Sequence, residues 1–431
     1  MKINIKATNY FFWGLALLVI PLSFFSAPEA SGHHKMPPLL KHVNEIVALT
    51  GYSMLALSFV LSARIKWLER QFDGLDKMYQ THHKMAVVAF IFMLAHPFLL
   101  ALRWIPDNAA RFFLSVFPLH HRDEVNLGSY ALWGIIVLMV FTLLIKLPYR
   151  IWKISHKFMG VFFIMIVIHT FHLTVSFDRN PLLWIYLVLI SGFGIAAFIY
   201  QTLLFGLFNR GLMYVVKAVE KINGKVLSVK LIPQGRELNF IPGQFCFFSF
   251  RYPGLSRESH PYTLCSGEGS TVQILVKSLG DYTSRLYDTL KPGAKVKING
   301  PYGCFHFREG INDQVWIAGG VGIAPFVSWM NDLQLKPSDK LRVELYYCVN
   351  QEGEAMYLDE FRSFEQSFPG FKLHLICADK EGFLKVRGIV GIQEKEIFLC
   401  GPKAMSKSLN GIFQEMHIPS QRIHYENFDF S

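Results

Sequence analysis

Hydrophobic residues are distributed unevenly along the chain. Up to about Tyr200 they form long runs separated by short polar segments, whereas beyond Gly211 they alternate with charged residues and glycines. A run of about 20 apolar residues is long enough to cross a hydrocarbon core of roughly 30 Å as a helix. The pattern therefore predicts an all-α membrane half, residues 1–208, followed by a globular half.

Six of these runs are long enough to span a membrane. We place them at residues 10–25, 44–63, 84–102, 127–145, 157–175 and 182–205. The first run also resembles a secretory signal peptide, because a basic start and an apolar stretch are followed by Ser26 and Ala27. We expect this span to be retained, since an even number of spans keeps both ends of the chain on one side.

Basic residues are concentrated in alternate loops. The formal net charge of +11 would also suit a nucleic-acid-binding protein, but no RNA- or DNA-binding motif accompanies it. One set of loops carries Lys2, Lys6, Arg64, Lys66, Arg70, Lys77, Lys146, Arg150, Lys153 and Lys157. Cytoplasmic loops show this excess. We therefore expect a multi-pass protein of a bacterial-type inner or plasma membrane, in contact with lipid, with its globular half in the cytoplasm.

All six cysteines fall in the globular half. They are Cys246, Cys265, Cys304, Cys348, Cys377 and Cys400. None shows C-x-x-C spacing, so we expect neither a disulfide framework nor a zinc site. Free thiols fit a reducing cytoplasm.

Two of the spans carry histidines at matched positions. His82 and His96 are fourteen residues apart, and His156 and His169 are thirteen apart. These separations make nearly four helical turns, so each pair lies on roughly one face, about 20 Å apart along the axis. If the third and fifth spans are neighbours, His82 meets His156 near the cytoplasmic side, and His96 meets His169 near the outer side.

Facing imidazoles separated by one iron atom provide bis-histidine haem ligation, and haem offsets the cost of placing polar rings in hydrocarbon. Ala86 and Gly160 each lie four residues after a histidine, where a porphyrin would need room against the backbone. The pattern thus predicts two haems. His83 remains an alternative to His82, and His172 a weaker alternative to His169.

The first part of the globular half, residues 209–308, shows short alternating strands separated by turns. Its pattern favours an antiparallel β-barrel with one capping helix that opens at Gly280. The start of that helix offers backbone N–H groups and the hydroxyls of Thr283 and Ser284 to an anion such as a pyrophosphate. In the segment SHPYTLCS, Tyr262 could stack on a flat ring and Thr263 could bond its edge.

The second part, residues 309–431, begins with VWIAGGVGIAPF, which is typical of a strand, a glycine turn and the start of a helix. Such a turn lets the backbone approach a phosphate closely. Strands at LRVELYYCV, FKLHLICA and EIFLC favour an α/β Rossmann-like nucleotide domain. An ordinary tight turn is the alternative interpretation of Gly319, Gly320 and Gly322.

Together these motifs resemble the NADPH oxidase/ferric reductase superfamily, in which a six-helix haem domain is fused to a ferredoxin–NADP reductase-like module. The motifs are the paired-histidine helices, HPYTLCS, GDYTSRL, GPYG, GGVGIAPF, CGP and an aromatic C-terminus. The resemblance covers nearly the whole chain.

The resemblance implies roles for residues at matching positions. His82, His96, His156 and His169 would bind the haem irons. FAD would be bound by His260, Pro261, Tyr262, Thr263, Ser266, Val276, Lys277, Gly280, Thr283 and Ser284. The nicotinamide nucleotide would be bound by Gly319, Gly320, Val321, Gly322, Ile323, Ala324 and Pro325. Cys400, Gly401 and Pro402 would lie near the nicotinamide, and Phe430 or Phe428 would cover the isoalloxazine, with Cys400 and Phe430 as catalytic residues. A buried position in a C-terminal strand is the alternative for the two phenylalanines.

The sequence departs from NADPH-selective relatives after the strand LYYCV. Asn350, Gln351 and Glu352 stand where those relatives tend to have an arginine, so nothing basic is expected there for a 2′-phosphate. This favours NADH or dual use. The sequence contains no EF-hand loop, so calcium control is not expected.

The resulting hypothesis is an electron path across the membrane, from cytoplasmic NAD(P)H through FAD and two b-type haems to oxygen or a ferric chelate outside. We expect no obligatory protein partner. An electron-transfer cytochrome that reduces a partner protein or quinone is the main alternative. A multipass transporter with a nucleotide-sensing domain is a third possibility, although transport does not require paired histidines.

Overall fold

The computed structural model describes residues 5–24, 37–105, 108–145, 147–173 and 180–426. The chain divides into two compact units, Met1–Phe208 and Asn209–Ser431.

The first unit is helical throughout its described residues. Its helices are α1 (Ile5–Leu17), α2 (Val19–Phe24), α3 (Pro38–Ser62), α4 (Lys66–Gln71), α5 (Leu75–Ala101), α6 (Ala109–Leu114), α7 (Asp123–Leu143), α8 (Tyr149–Lys157), α9 (Met159–Leu173), α10 (Pro181–Ile199) and α11 (Phe205–Phe208). A single π-helical turn, Tyr200–Leu204, joins α10 to α11.

Six stretches of the described residues are long and apolar enough to cross a membrane. They are Ala7–Phe24, Pro38–Ser62, Leu75–Trp104, Asp123–Leu143, Tyr149–Leu173 and Pro181–Phe208. The predicted count of six apolar spans is confirmed.

The observed spans differ from the predicted bounds by one to nine residues, and the starts of the third and fifth spans differ most. The third span begins nine residues earlier, at Leu75, because Asp76 lies in the first turn of α5, where a carboxylate is favoured by the helix dipole. The fifth span, Tyr149–Leu173, has a one-residue irregularity at Phe158, where the backbone stays in the right-handed helical region but the hydrogen-bond pattern changes. His156 lies in the last turn of α8, just before this irregularity, and His169 lies on α9.

The helix α3 is central to the first unit. It packs against α5 and α10, while α7 packs against α9. Small residues allow close approach: a Cβ at Gly51 would lie 2.9 Å from the Cβ of Phe92 on α5. Small side chains at helix contacts are typical of membrane bundles.

The second unit begins with six antiparallel strands. They are β1 (Leu212–Ile222), β2 (Val226–Pro233), β3 (Phe245–Arg251), β4 (His260–Thr263), β5 (Val272–Lys277) and β6 (Lys295–Tyr302), in the order β4-β3-β6-β1-β2-β5. A bridge between Leu264 and Ile274 joins the end of β4 to β5, so the two edges of the sheet meet and the strands close into a barrel. The helix α12 (Asp281–Thr289) follows β5.

The remaining strands form a parallel sheet. They are β7 (Asp313–Gly319), β8 (Arg342–Val349), β9 (Phe371–Cys377), β10 (Glu396–Cys400) and β11 (Ile423–Glu426), in the order β11-β10-β7-β8-β9. The helices between them are α13 (Ala324–Leu335), α14 (Leu358–Ser367), α15 (Ala378–Glu381) and α16 (Lys403–Glu415).

Both faces of the parallel sheet are buried. On β7, Trp316 and Ala318 join a cluster with α13 and α14, whereas Val315 and Ile317 join a second cluster with α16. The strand order reverses direction at β7, since β8 lies on one side and β10 on the other. A crevice at such a reversal, at the carboxyl ends of the strands, is where open α/β sheets bind nucleotides. The predicted membrane bundle, antiparallel barrel and nucleotide domain are all confirmed.

Candidate functional site

Two histidine pairs lie inside the membrane unit. His82 and His96 are on α5, His156 ends α8, and His169 is on α9. The imidazole rings of His82 and His156 have centroids 6.5 Å apart and planes at 73°. His96 and His169 are close enough to interact electrostatically. The structure thus brings together both pairs that the sequence spacing suggested.

Three of the four imidazoles are oriented by a hydrogen bond from Nδ1. The acceptors are the carbonyl oxygen of Ser58 for His82 (2.8 Å), the side-chain oxygen of Asn44 for His96 (3.2 Å) and the carbonyl oxygen of Glu124 for His169 (2.7 Å). These bonds leave Nε2 of each ring available to a ligand, and orientation through the other ring nitrogen is typical of histidines that bind metals. Sequence reasoning missed these acceptors. Of the three acceptor residues, only Asn44 could have been recognised from the sequence, because its acceptor atom belongs to a polar side chain within a predicted span; the structure shows that it is buried.

The His82–His156 geometry fits one iron between the rings. An imidazole nitrogen lies about 2 Å from a bound first-row metal, so two axial imidazoles have ring centroids about 6 Å apart. The observed 6.5 Å is close to this separation. The steep angle between the planes is no obstacle, because each ring only has to contain the axis through the metal. The donor set is therefore suitable for a bis-histidine haem.

Two glycines of the bundle differ in what they make room for. A Cβ at Gly128 on α7 would lie 2.5 Å from the imidazole of His169, so this glycine allows α7 to pack against that ring. The open side of Gly160 is filled by the ring of Phe198. Our expectation that Gly160 makes room for a porphyrin is therefore wrong. Phe198 belongs to α10, and the pattern of residues within the fifth span could not reveal that α10 packs there.

The alternative histidines point elsewhere. His83 is exposed, on a different face of α5 from His82. His172 is also exposed, and its Nδ1 donates to the carbonyl oxygen of Ile168 in its own helix, at 2.9 Å. Among the described contacts, neither has an imidazole neighbour comparable with that of His82 and His156.

The segment His260–Thr263 forms β4 at one edge of the barrel sheet. The ring of His260 stacks on Tyr282 of α12, with centroids 4.0 Å apart and planes at 23°, and its Nε2 lies 3.3 Å from the carboxylate of Glu258. Pro261 lies between His260 and Tyr262 on the strand. Burial raises the pKa of Tyr262, and its hydroxyl has no hydrogen-bond partner among the described residues. A buried unpaired hydroxyl of this kind fits a site whose partner is a bound ligand.

Other residues of the expected flavin site support the barrel itself. Thr263 and Val276 are buried, and Lys277 ends β5. The hydroxyl of Ser266 accepts a hydrogen bond from the backbone N–H of Gln273 at 3.3 Å, next to the bridge that closes the barrel. Ser266 thus contributes to closure.

The start of α12 combines a glycine with two hydroxyls. The hydroxyl of Thr283 accepts from the N–H groups of Leu279 (2.9 Å) and Gly280 (3.0 Å), and Ser284 bonds the hydroxyl of Ser278 at 2.8 Å. Both hydroxyls are thus already bonded within the chain. The N–H groups of the first turn remain as donors for an anion.

The glycine turn after β7 meets the loop after β10. A Cβ at Gly319 would lie 2.6 Å from Sδ of Met405, and one at Gly322 would overlap the carbonyl oxygen of Cys400. These two glycines therefore allow two loops of the chain to pack together. We had expected their open sides to admit a phosphate.

Gly320 is different. It has φ +53°, and nothing lies within 4 Å of where its Cβ would be. Val321 and Ile323 continue this turn, and Ala324 and Pro325 begin α13, whose N-terminus has no side-chain cap. The open face of the turn at Gly320, together with the uncapped helix, is a cradle suited to a pyrophosphate.

The loop Cys400–Gly401–Pro402 packs directly against this turn. Burial raises the pKa of the Cys400 thiol well above 9.0, and the neighbouring Glu426 carboxylate raises it further. Glu426 is buried and pairs in register with Cys400 between β10 and β11. Sequence reasoning did not single out Glu426. Phe428 and Phe430 lie outside the described residues.

The carboxyl end of β8 is more mixed in charge than expected. The carboxylate of Glu352 lies 2.8 Å from Nζ of Lys380 and 3.6 Å from Arg362, while Asn350 donates to Glu354 at 3.0 Å. The expectation that nothing basic lies there is therefore wrong. Lys380 comes from the turn after β9, so only the pairing of the strands brings it to Glu352.

Comparison with protein families accounts for both units. A ferric reductase like transmembrane component matches residues 47–167, an FAD-binding domain matches 212–306, and an oxidoreductase NAD-binding domain matches 316–410. The chain has the ferric reductase/NADPH oxidase-like architecture. In this architecture the histidine pairs fall within or next to the ferric-reductase component, and the glycine turn and Cys400 fall within the NAD-binding domain. The chain is accordingly an integral membrane protein with flavin- and nucleotide-binding domains.

Individual relatives match parts of this ferric-reductase-like chain. The 2-halobenzoate 1,2-dioxygenase electron transfer component of Burkholderia cepacia is 28% identical over 210 residues, 46% of this chain and 61% of that protein. A component of the Na(+)-translocating NADH-quinone reductase of Neisseria meningitidis is 26% identical over 156 residues, 32% of this chain and 38% of that protein. The chain therefore covers less than two thirds of the length of these relatives. A flavohemoglobin from Malassezia yamatoensis, solved with FAD and haem, has TM-score 0.53 at 15% identity and covers 91% of this chain and 98% of that one, which shows a similar fold.

Proposed function

We propose that the chain is a transmembrane oxidoreductase that moves electrons from cytoplasmic NAD(P)H, through FAD and two bis-histidine haems, to an acceptor on the outer face. The observation that carries the proposal is the 6.5 Å separation of the His82 and His156 rings, in a chain that also has flavin- and nucleotide-binding domains. When bound, FAD accepts a hydride and releases electrons singly, and haem relays single electrons.

The residues of the second unit bind and orient the nucleotide. The open turn at Gly320 and the uncapped start of α13 hold the pyrophosphate, which directs the nicotinamide toward the loop at Cys400. Because the Cys400 thiol is buried and its pKa is raised, it stays protonated at neutral pH and adds no charge beside the nicotinamide. The N–H groups at the start of α12 bind the flavin pyrophosphate.

The residues of the membrane unit hold two irons at fixed positions. His82 and His156 form the site nearer the cytoplasm, and His96 and His169 form the outer site. Hydrogen bonds to Ser58, Asn44 and Glu124 set the imidazole orientation at three of these positions. Histidines held in this way would keep the same ligands on each iron in both oxidation states, which would lower the reorganisation that electron transfer requires.

The orientation follows from charge. Two basic segments lie at the ends of the spans near His82 and His156. One contains Arg64, Lys66, Arg70 and Lys77, and the other contains Arg150, Lys153 and Lys157. We place this end in the cytoplasm by the positive-inside rule.

The outer acceptor is ferric iron or oxygen. With both axial positions filled by histidine, oxygen has no open position on the iron, so it would be reduced to superoxide by outer-sphere transfer. A ferric chelate would be reduced in the same way. The alternative is an electron-transfer cytochrome that reduces a partner protein or quinone. Two of the relatives, an electron transfer component and a component of an NADH-quinone reductase, favour that alternative as the second candidate.

NADH is the proposed preferred donor. Glu352 neutralises Lys380 and Arg362 at the carboxyl end of β8, where a Rossmann-type domain holds the adenosine ribose. A carboxylate there accepts a hydrogen bond from a ribose 2′-hydroxyl and repels a 2′-phosphate.

The test is an absorbance spectrum of the purified full-length protein under anaerobic conditions. A haem Soret band that shifts when NADH is added supports the proposal. A colourless protein that still binds nucleotide would instead favour a transporter with a nucleotide-sensing domain. Anaerobic NADH oxidation with ferric citrate, compared with aerobic dye reduction that superoxide dismutase suppresses, separates the two acceptors.

A further inference from the structure

His156 is held differently from the other three paired histidines. His82, His96 and His169 each donate a hydrogen bond from Nδ1 to an oxygen. Nδ1 of His156 is buried and has no hydrogen-bond partner among the described residues. Its ring instead stacks on Trp152, with centroids 5.2 Å apart and planes at 26°.

The local structure explains why stacking has to orient this ring. Trp152 and His156 are four residues apart on α8 and so share one face of the helix. Tyr149 continues the row, with its ring 5.7 Å from that of Trp152. Just after His156, the helical hydrogen bonding is irregular at Phe158, although the backbone stays in the right-handed helical region before α9 begins. The aromatic row on α8 therefore packs on the imidazole from its own helix, while the ring of His82 approaches it from α5.

A missing hydrogen bond at Nδ1 has an electronic consequence. A ligand imidazole that donates its second N–H to an oxygen becomes a more basic ligand, which stabilises the ferric state. His82 and both histidines of the other pair have such a bond, whereas Nδ1 of His156 has none within the part of the chain that the structure describes. The two sites therefore differ in axial donor strength although all four ligands are histidines.

We propose that Trp152 is the positioning residue of His156, the one paired histidine whose Nδ1 has no hydrogen-bond partner among the described residues. This inference rests on the proposed function, since it requires haem between the paired histidines. The indole face restricts rotation of the imidazole and keeps Nε2 directed at the iron without anchoring Nδ1.

The test compares variants of the full-length protein by haem content, by low-spin ferric electron paramagnetic resonance and by reductive titration. In Trp152→Leu, one of the two low-spin signals should broaden or shift and its midpoint should move, while the other signal stays as in the wild type. Trp152→Phe keeps an aromatic face and should restore the signal. Trp152→Met has no ring and should behave like the leucine variant, so the test does not depend on one substitution folding well.

The matched control is Trp133→Leu. Trp133 stacks on Phe117 with centroids 5.2 Å apart and planes at 22°, a similar contact that involves no histidine. Both signals should remain unchanged in this variant. The inference is overturned if the leucine and methionine variants keep both signals and both midpoints, or if Trp152→Phe is as damaged as they are. Failure of the proposed function gives a different result, a wild-type protein without haem.

Discussion

Gly322 lies against Cys400 so closely that a Cβ on the glycine would overlap the carbonyl oxygen of Cys400. This contact joins the turn after β7 to the loop after β10, the two segments that border the nucleotide crevice. The absence of a side chain at residue 322 is therefore a packing requirement of the crevice. The obstacle is backbone, so a rotamer change cannot relieve it.

Gly322→Ala should accordingly weaken the second unit. We expect a loss of about 1–3 kcal/mol of unfolding free energy, the usual cost of overpacking, and weaker NADH binding. Flavin release on heating the full-length protein and an NADH titration measure the two effects. The control is Gly411→Ala on the exposed side of α16, where nothing lies within 4 Å of the new Cβ and alanine favours the helix. Equal behaviour of the two variants would refute the packing argument.

Replacing a paired histidine should remove one haem. His82→Ala or His156→Ala is expected to leave about one haem per chain, because one axial imidazole alone holds the group weakly. His82→Ala combined with His96→Ala should leave none. Pyridine haemochromogen assays of the purified variants give the stoichiometry. His83→Ala and His172→Ala, at exposed positions, serve as controls and should retain full pigment. Intact pigment in the four paired-histidine variants would remove the basis of the proposed function.

Gly128→Ala should disturb the outer pair selectively. Its Cβ would lie 2.5 Å from the imidazole of His169, which has to move and strain its hydrogen bond to Glu124. We expect loss or a spectral change of one haem, read from the reduced spectrum and the haem content. Gly192→Ala on α10 is the matched control, because nothing lies within 4 Å of that position. A wild-type spectrum in the Gly128 variant would show that His169 is free to relocate or is not a ligand.

Glu352→Gln should shift nucleotide preference toward NADPH. The change frees the charges of Lys380 and Arg362, which can then face a 2′-phosphate. We expect the NADPH-to-NADH ratio of kcat/KM to rise by roughly two- to fivefold, the range that exposed ion pairs support. Glu415→Gln breaks the ion pair of α16 with Arg387 and provides the same charge change at another surface. If both variants change the ratio equally, net charge and not the β8 edge controls the preference.

The thiol of Cys400 should be unreactive in the native protein. Burial and then Glu426 raise its pKa well above 9.0, so the nucleophilic thiolate is scarce at pH 8. We expect iodoacetamide to label Cys400 only after unfolding, as mapped by peptide mass spectrometry, with Cys304, which is partly exposed, as the internal comparison. Rapid native labelling of Cys400 would contradict the assigned burial.

The same shift sets a pH dependence. Because the folded-state pKa is raised, the contribution of this thiol to stability is complete below the unfolded-state value near 9.0 and is lost as the pH rises above it. Cys400→Ala should reduce the alkaline loss of stability, as measured by flavin release on heating between pH 8 and pH 10.5.

The sequence by itself determined the elements and their order. Backbone N–H and C=O groups inside a membrane have to be hydrogen-bonded within each helix, so the long apolar runs predict six helical spans. After Gly211, apolar and polar residues alternate with a period of two, and this alternation predicts strands. Helical periodicity explains why His82 and His96 share a face of the third span. It likewise predicts a shared face for His156 and His169 along the fifth span. The glycine turn after β7 is recognised in the same way.

Only the tertiary structure decided which atoms meet. Phe198 fills the space at Gly160, Lys380 reaches Glu352 from the short helix α15, and Cys400 occupies the open side of Gly322, all through contacts between segments separated in the chain. The irregular hydrogen bonding at Phe158, and an Nδ1 of His156 without a hydrogen-bond partner among the described residues, are likewise invisible in the sequence. The physical reason is that periodicity reports which face of an element is apolar, whereas the identity of the neighbour depends on how separate elements pack.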